Sequence, residues 1–238
     1  GTAENLSWGI AKLVGAMTFA TGLMMVVLTG AELFTGNVMM TFSVIEKKTS
    51  LAKLLRNWSI VYFGNFVGSI LIALLIYYSG CSHNSHEALG VLSLTTAYQK
   101  VNLTFVEAFT RGILCNWLVC LAIWMASSSK FVIGKIFAIF FPIMTFVASG
   151  YEHSIANMFF LTNGIFAKHT AAIVAASGLS ADQLATLNMK TIFTANLIPV
   201  TLGNMVGAIV FVVLLFWTAY LRDDHKAKSS EPEMEENN

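Results

Sequence analysis

Two short stretches hold most of the polar chemistry found inside the apolar parts of this chain. Gly30, Glu32 and Asn37 form the pattern G-x-E-x4-N, and Gly150, Glu152 and Asn157 repeat it at the same spacing in the second half. His153 follows Glu152 directly and is the one histidine within an apolar run. A carboxylate at membrane depth is costly unless paired or protonated. Equivalent glutamates at two such places therefore point to structural work, capping loop N–H groups or orienting neighbours. Asn37 and Asn157 could bond loop backbone or a solute, with the backbone favoured. His153 has an unperturbed pKa near neutrality, so it could give a hydrogen bond, or a proton, to a passing weak-acid anion.

A second shared pattern follows each of these stretches. N-x6-G-N-x-V-G reads Asn57…Gly64-Asn65-Phe66-Val67-Gly68 in the first half and Asn196…Gly203-Asn204-Met205-Val206-Gly207 in the second. Two motifs in the same order in both halves mark an internal repeat. The glycines of the second pattern are expected to serve close helix packing.

The elements that must carry these residues are membrane spans. The chain has 238 residues, 56% of them hydrophobic, with mean hydropathy +0.69. Only 11% are charged, against about 25% in a soluble domain, so a soluble fold could not cover its surface. A net charge of +1 offers no basic excess to hold nucleic acid. Hydropathy gives five runs long enough to cross about 30 Å of hydrocarbon, at 8–45, 57–80, 103–127, 131–167 and 191–221. The first and fourth are too long for one straight span, and each is interrupted by a G-x-E-x4-N stretch. Each therefore reads as two half-helices around a break. The sequence divides into one transmembrane domain over 1–222 and a polar tail at 223–238 expected to be disordered.

Orientation follows from the basic residues. Lys47, Lys48, Lys53 and Arg56, then Lys130 and Lys135, then Arg222, Lys226 and Lys228 mark one side. The alternate connections are poorer, with Lys100 in 81–102 and Lys168 and Lys190 in 168–190. Placing the basic loops in the cytoplasm puts the C-terminus inside and Gly1 outside. The two broken helices then run in opposite directions, which defines an inverted-topology repeat. The span 103–127 opens the second half without a counterpart in the first, so a matching first span is expected upstream of Gly1.

Irregular backbone at membrane depth survives where it is buried in protein or lines a polar cavity. Half-helix N-termini present free N–H groups and a positive dipole end, a setting for a small anion. No Lys or Arg is expected in the middle of the spans. An anion would then meet partial charges and donors weak enough to release it, as permeation requires. Cys115 and Cys120 are about 140° apart around one helix and Cys81 has no evident partner, so neither a metal site nor a disulfide is expected. No cofactor is expected either.

The stretches Glu32-Leu33-Phe34-Thr35-Gly36-Asn37 and Gly150-Tyr151-Glu152-His153-Ser154-Ile155-Ala156-Asn157 resemble the formate/nitrite transporter family. Ala11 to Gly15, Asn116 to Ala122 and Asn196 to Asn204 support the likeness, which spans residues 8–222. The resemblance implies an all-α integral membrane fold, an aquaporin-like inverted repeat of six helices in a homopentamer, each protomer with its own pore. It further implies a channel in the cell inner membrane for a small monovalent anion, formate first, with nitrite or hydrosulfide as alternatives within the family. Carried across, the central pore histidine is His153, with Thr35, Asn116 and Asn157 as polar pore or substrate contacts. Leu33 and Phe146 would form the cytoplasmic-side constriction, and Phe19, Leu23 and Val119 would line the rest of the apolar path. Glu32, Asn37 and Glu152 would structure the loops.

Other classes fit less well. A proton-coupled transporter could use the same scaffold. A membrane-embedded enzyme built on Glu152 and His153 lacks H-E-x-x-H, G-x-S-x-G and a metal set. A water or glycerol channel would carry N-P-A at both breaks, and neither break does.

Overall fold

The computed structural model describes residues 7–222; the tail at 223–238 lies outside them. Five helices are long and apolar enough to cross a membrane. They are α1 (Trp8–Thr29), α3 (Leu51–Tyr78), α5 (Phe105–Ser128), α6 (Val132–Ser149) and the 33-residue α10 (Met189–Leu221). Between them stand two shorter apolar helices, α2 (Phe34–Ile45) and α7 (Ser154–Lys168), and the short helices α8 (Ala171–Ser177) and α9 (Ala181–Thr186) link α7 to α10. The long first and fourth apolar runs thus resolve as α1 with α2 and α6 with α7.

Both breaks are made the same way. Gly30 and Gly150 end α1 and α6 in the left-handed region, at φ 73° and 76°. An L side chain is strained there and glycine is not. Three residues outside any helix follow each glycine, the last of them extended, and a new helix begins.

The half-helices lead away from a common centre. Their N-termini meet, whereas their C-terminal ends reach opposite ends of α10. Beyond α2, Glu46 accepts a hydrogen bond from Trp217 Nε1 at 2.6 Å, near the end of α10. At the end of α7, Lys168 Nζ donates to the carbonyl of Leu187, two residues before α10 begins, at 2.9 Å.

Three apolar clusters hold the bundle. Ala20, Leu23, Cys115, Val119, Ile143 and Phe146 join α1, α5 and α6. Phe34, Leu54, Trp58, Ala208 and Val212 join α2, α3 and α10. The third cluster contains a helix that the sequence reading treats as a plain connection. Residues 81–102 contain α4 (Ala88–Val101), which buries Leu94, Ala97 and Val101 against Met158 and Leu161 of α7. Gly164 lets the two backbones approach, since a Cβ there would collide with Ala97.

The glycine expectation is met in the second half. A Cβ on Gly203 or Gly207 would run into the backbone of Phe109 or Ile113, so α10 and α5 pack backbone to backbone. Gly64 and Gly68 meet nothing within 4 Å among the described residues. The neighbouring side chains of that stretch do face another helix, with the Phe66 ring 5.7 Å from that of Phe193 on α10. Large apolar side chains such as Phe63, Leu75 and Phe137 face outward, as lipid-facing surface should.

Candidate pore site where two half-helices meet

The first turns of α2 and α7 bring Thr35 and His153 together. Thr35 Oγ1 lies 2.8 Å from His153 Nε2, and both residues are buried. His153 is also the N-cap of α7, where its Nδ1 accepts the Ala156 N–H at 3.1 Å. A backbone N–H can only donate, so Nδ1 carries a lone pair and the neutral ring keeps its proton on Nε2. Nε2–H then points at Thr35 Oγ1, which leaves the threonine's own proton to donate elsewhere. Leu33 occupies the equivalent N-cap of α2 and has no side-chain group to offer.

Two cavities adjoin this contact. The larger, about 380 Å³, is walled by Leu23, Val26, Leu33, Val119 and Ile143. The smaller, about 140 Å³, includes Lys100, Glu152, Asn157 and Phe160. Phe19, Phe146, His153 and Ala156 line both. Phe19 and Phe146 pack edge to face, with ring centroids 5.8 Å apart, and the Phe146 ring stacks on His153 at 6.1 Å. The partition between the cavities is therefore two phenyl rings and one imidazole. Leu33, Leu23 and Val119 belong to the wall of the larger cavity alone.

The glutamates orient side chains and do not cap loop N–H groups. Glu152 takes Lys100 Nζ on both carboxylate oxygens at 2.9 Å and Asn157 Nδ2 at 2.6 Å. Lys100 corrects the expectation of a cation-free centre. It sits one residue from the end of α4 and lines the smaller cavity, with its charge met by Glu152. The available signal is a lone lysine at the end of an amphipathic segment, which hydropathy alone leaves as a connection between spans. Glu32 has no such cation among the described residues and takes Asn37 Nδ2 instead. Asn37 and Asn157 each bond side chains, Asn57 Oδ1 at 2.9 Å and Asn196 Oδ1 at 2.8 Å, where loop backbone was expected.

Asn116 is buried away from both cavities. Its amide donates to the carbonyls of Thr35 and Asn204, at 3.1 and 2.8 Å. Thr35 reaches the site through His153 and lines neither cavity. Asn157 does line the smaller one. Cys115 and Cys120 are free and buried. The breaks are otherwise well satisfied: among the described residues, Ser154 Oγ is the one buried side-chain polar atom with no partner.

Apolar spans, two half-helices meeting head to head and cavities on either side of the meeting point define a multi-pass membrane transport protein. The family model "Formate/nitrite transporter" matches residues 1–218, and the chain belongs to that family. It is 41% identical over 224 residues to the formate channel FocA of Escherichia coli K12, covering 93% of this chain and 79% of that one. To FocA of Haemophilus influenzae it is 42% identical over 207 residues, covering 86% and 73%. A solved structure described as a pentameric formate channel with formate bound superposes with a TM-score of 0.82. That match has 39% identity and covers 92% of this chain and 87% of the other.

Proposed function

We propose that this protein is a formate channel, a homopentamer in which each protomer conducts the anion past His153. One observation carries the reading: His153, backed by Thr35, lines two cavities at once and shares the partition between them with Phe19 and Phe146. Stripping a small anion of water in an apolar passage costs several kcal/mol. Two half-helix N-termini aimed at one point oppose that cost by about 0.3–1 kcal/mol each, more when partly buried. A hydrogen bond to the anion from His153 Nε2–H, turned from Thr35 as the anion arrives, adds about 1.5–3 kcal/mol. Together these lower the barrier without creating a trap, which suits conduction.

His153 acts here as a fixed donor. Charging the ring would place a second N–H against that of Ala156 and break the cap of α7, so donation of a hydrogen bond fits the geometry better than release of a proton. Residues 1–222 act as one transmembrane unit, with the basic loops and the C-terminus on the cytoplasmic side of the inner membrane.

The test is formate flux into proteoliposomes, with nitrite and hydrosulfide as competitors. Flux that persists without a pH gradient is the expected result, and strict dependence on the gradient would favour coupled transport. His153→Asn retains a good N-cap but removes the titrating ring. Its flux should be lower than wild type with a parallel profile between about pH 5 and 7. A wild-type profile that flattens in the variant would restore the proton-relay mechanism.

A further inference from the structure

The repeated N-x6-G-N-x-V-G pattern finds no use in the packing of both halves, since its glycines are close-packed in one half only. Its asparagines behave alike in both. In the first half, Asn65 Oδ1 accepts the Phe34 N–H and Asn65 Nδ2 donates to the Glu32 carbonyl, both at 3.0 Å. In the second, Asn204 Oδ1 accepts the Ser154 N–H and Asn204 Nδ2 donates to the Glu152 carbonyl, both at 2.9 Å. Each amide therefore closes on the carbonyl before and the N–H after a single residue. The clasped residues are Leu33 and His153, the two N-caps.

We infer that Asn65 and Asn204 are positioning residues of the pore, each fixing one N-cap residue, and that Asn204 acts on conduction through His153. This inference rests on the proposed role of His153 in passage. A residue whose flanking carbonyl and N–H both pair with one partner is held as in a strand. Leu33 and His153 are extended accordingly, at φ −123° and ψ 118°, and φ −111° and ψ 116°. Without the amide, both backbone groups would be buried and unpaired, at a cost that would let the loop turn to find other partners.

Spacing explains the rest of the pattern. Asn57 and Asn196 precede the clasping residues by eight positions, about two helical turns or 12 Å. They receive the amides of Asn37 and Asn157 in the first turn of each half-helix. A long span thus holds each break at two points: at the N-cap and at the asparagine four residues beyond it. Asn204 is held more firmly than Asn65, because its Nδ2 also donates to the Gly112 carbonyl at 2.8 Å and its own carbonyl accepts from Asn116.

The inference is tested with Asn204→Asp and Asn204→Leu in the full chain. Aspartate keeps the acceptor for Ser154 N–H but faces two carbonyls with no donor until it is protonated. Formate flux of Asn204→Asp, relative to wild type at the same pH, should fall about tenfold near pH 7.5 and recover near pH 5. Asn204→Leu should stay low at both. Amide hydrogen exchange, measured without formate, should quicken in the peptide containing Ser154 for the leucine variant. Because exchange needs no permeant, it reads the clasp even if the wild-type protein fails to conduct formate, which would instead sink the proposed function. Wild-type exchange in Asn204→Leu, or equal flux losses in both variants at both pH values, would overturn the inference. If neither Asn204 variant assembles, Asn65→Leu takes its place, and wild-type exchange in the peptide containing Phe34 would overturn it there.

Discussion

The two breaks share a backbone plan and differ in their chemistry. Each has a left-handed glycine, an extended N-cap residue, a glutamate bonded to an asparagine, and a long neighbouring span that supplies two more asparagines. At the first break the N-cap is Leu33, the glutamate is exposed, and the polar group offered to the centre is the Thr35 hydroxyl. At the second the N-cap is His153, the glutamate is buried, and Lys100 holds it with both carboxylate oxygens engaged. Duplication has kept the scaffold, where every orphan backbone group must be satisfied, and let the presented side chains diverge. The buried ion pair and the titratable ring stand at the second break, a wall and a hydroxyl at the first.

The largest expected difference between the halves lies in the ion pair. Lys100→Met leaves the Glu152 carboxylate buried without its cation, a change that typically costs about 3–5 kcal/mol. The purified protein should lose a large part of its thermal midpoint, and Lys100→Met with Glu152→Gln should regain much of it. Glu32→Gln, at the exposed equivalent, should leave the midpoint where it is. Equal losses at Glu32 and Lys100 would mean that the first break is also buried and paired in the assembled protein.

Next come the glycines. Gly203→Ala drives a methyl group into the Phe109 carbonyl, so the α5–α10 crossing must open, at about 1–3 kcal/mol. Gly64→Ala enters open space within a helix and should gain up to about 1 kcal/mol in helix propensity. Thermal midpoints of the two variants read the contrast directly. A loss at Gly64 would show that another surface covers that face of α3 in the assembly.

The legible part of this molecule was the part written in repeats and hydropathy. Two spaced motifs and five apolar runs were enough to place the breaks at Gly30 and Gly150, with Glu32, Asn37, Glu152, His153 and Asn157 beside them. What escaped was pairing across the fold. Lys100 lies 52 positions from Glu152, and α4, at 14 residues, is too short to register as a span. Asn116 has the composition of a pore contact, yet its amide faces two backbone carbonyls. Gly64 and Gly203 occupy the same place in the same motif, and among the described residues only Gly203 has a neighbouring backbone against it. Local pattern cannot distinguish such cases, because the deciding atoms belong to a different helix.

The partition offers a further comparison between the halves. Phe146 lines both cavities, whereas Leu33 walls only the larger. Phe146→Ala removes most of the barrier's apolar thickness. If that lowers the desolvation cost by about 1.4 kcal/mol, formate flux should rise roughly tenfold, and acetate or lactate should compete better. Leu33→Ala should change flux less and leave selectivity in place. The reverse ranking would put the narrow point at Leu33.

The smallest effect should come from the Thr35 hydroxyl, and it tests how the two halves cooperate. His153 Nδ1 is committed to the Ala156 N–H, so the contact with Thr35 has one direction: Nε2–H donates and Thr35 Oγ1 accepts. Thr35→Ser keeps that acceptor and its proton, and should conduct like wild type. Thr35→Val keeps the shape but leaves Nε2–H facing a methyl group and removes the hydroxyl proton from the path. A single neutral hydrogen bond is worth about 1 kcal/mol net, so flux should fall about fivefold while assembly and thermal midpoint stay near wild type. The loss should also disappear against a His153→Asn background, because the partner that gives Thr35 its orientation is then gone. Full additivity of the two losses would show that Thr35 meets the anion on its own and that the 2.8 Å contact does not couple the halves.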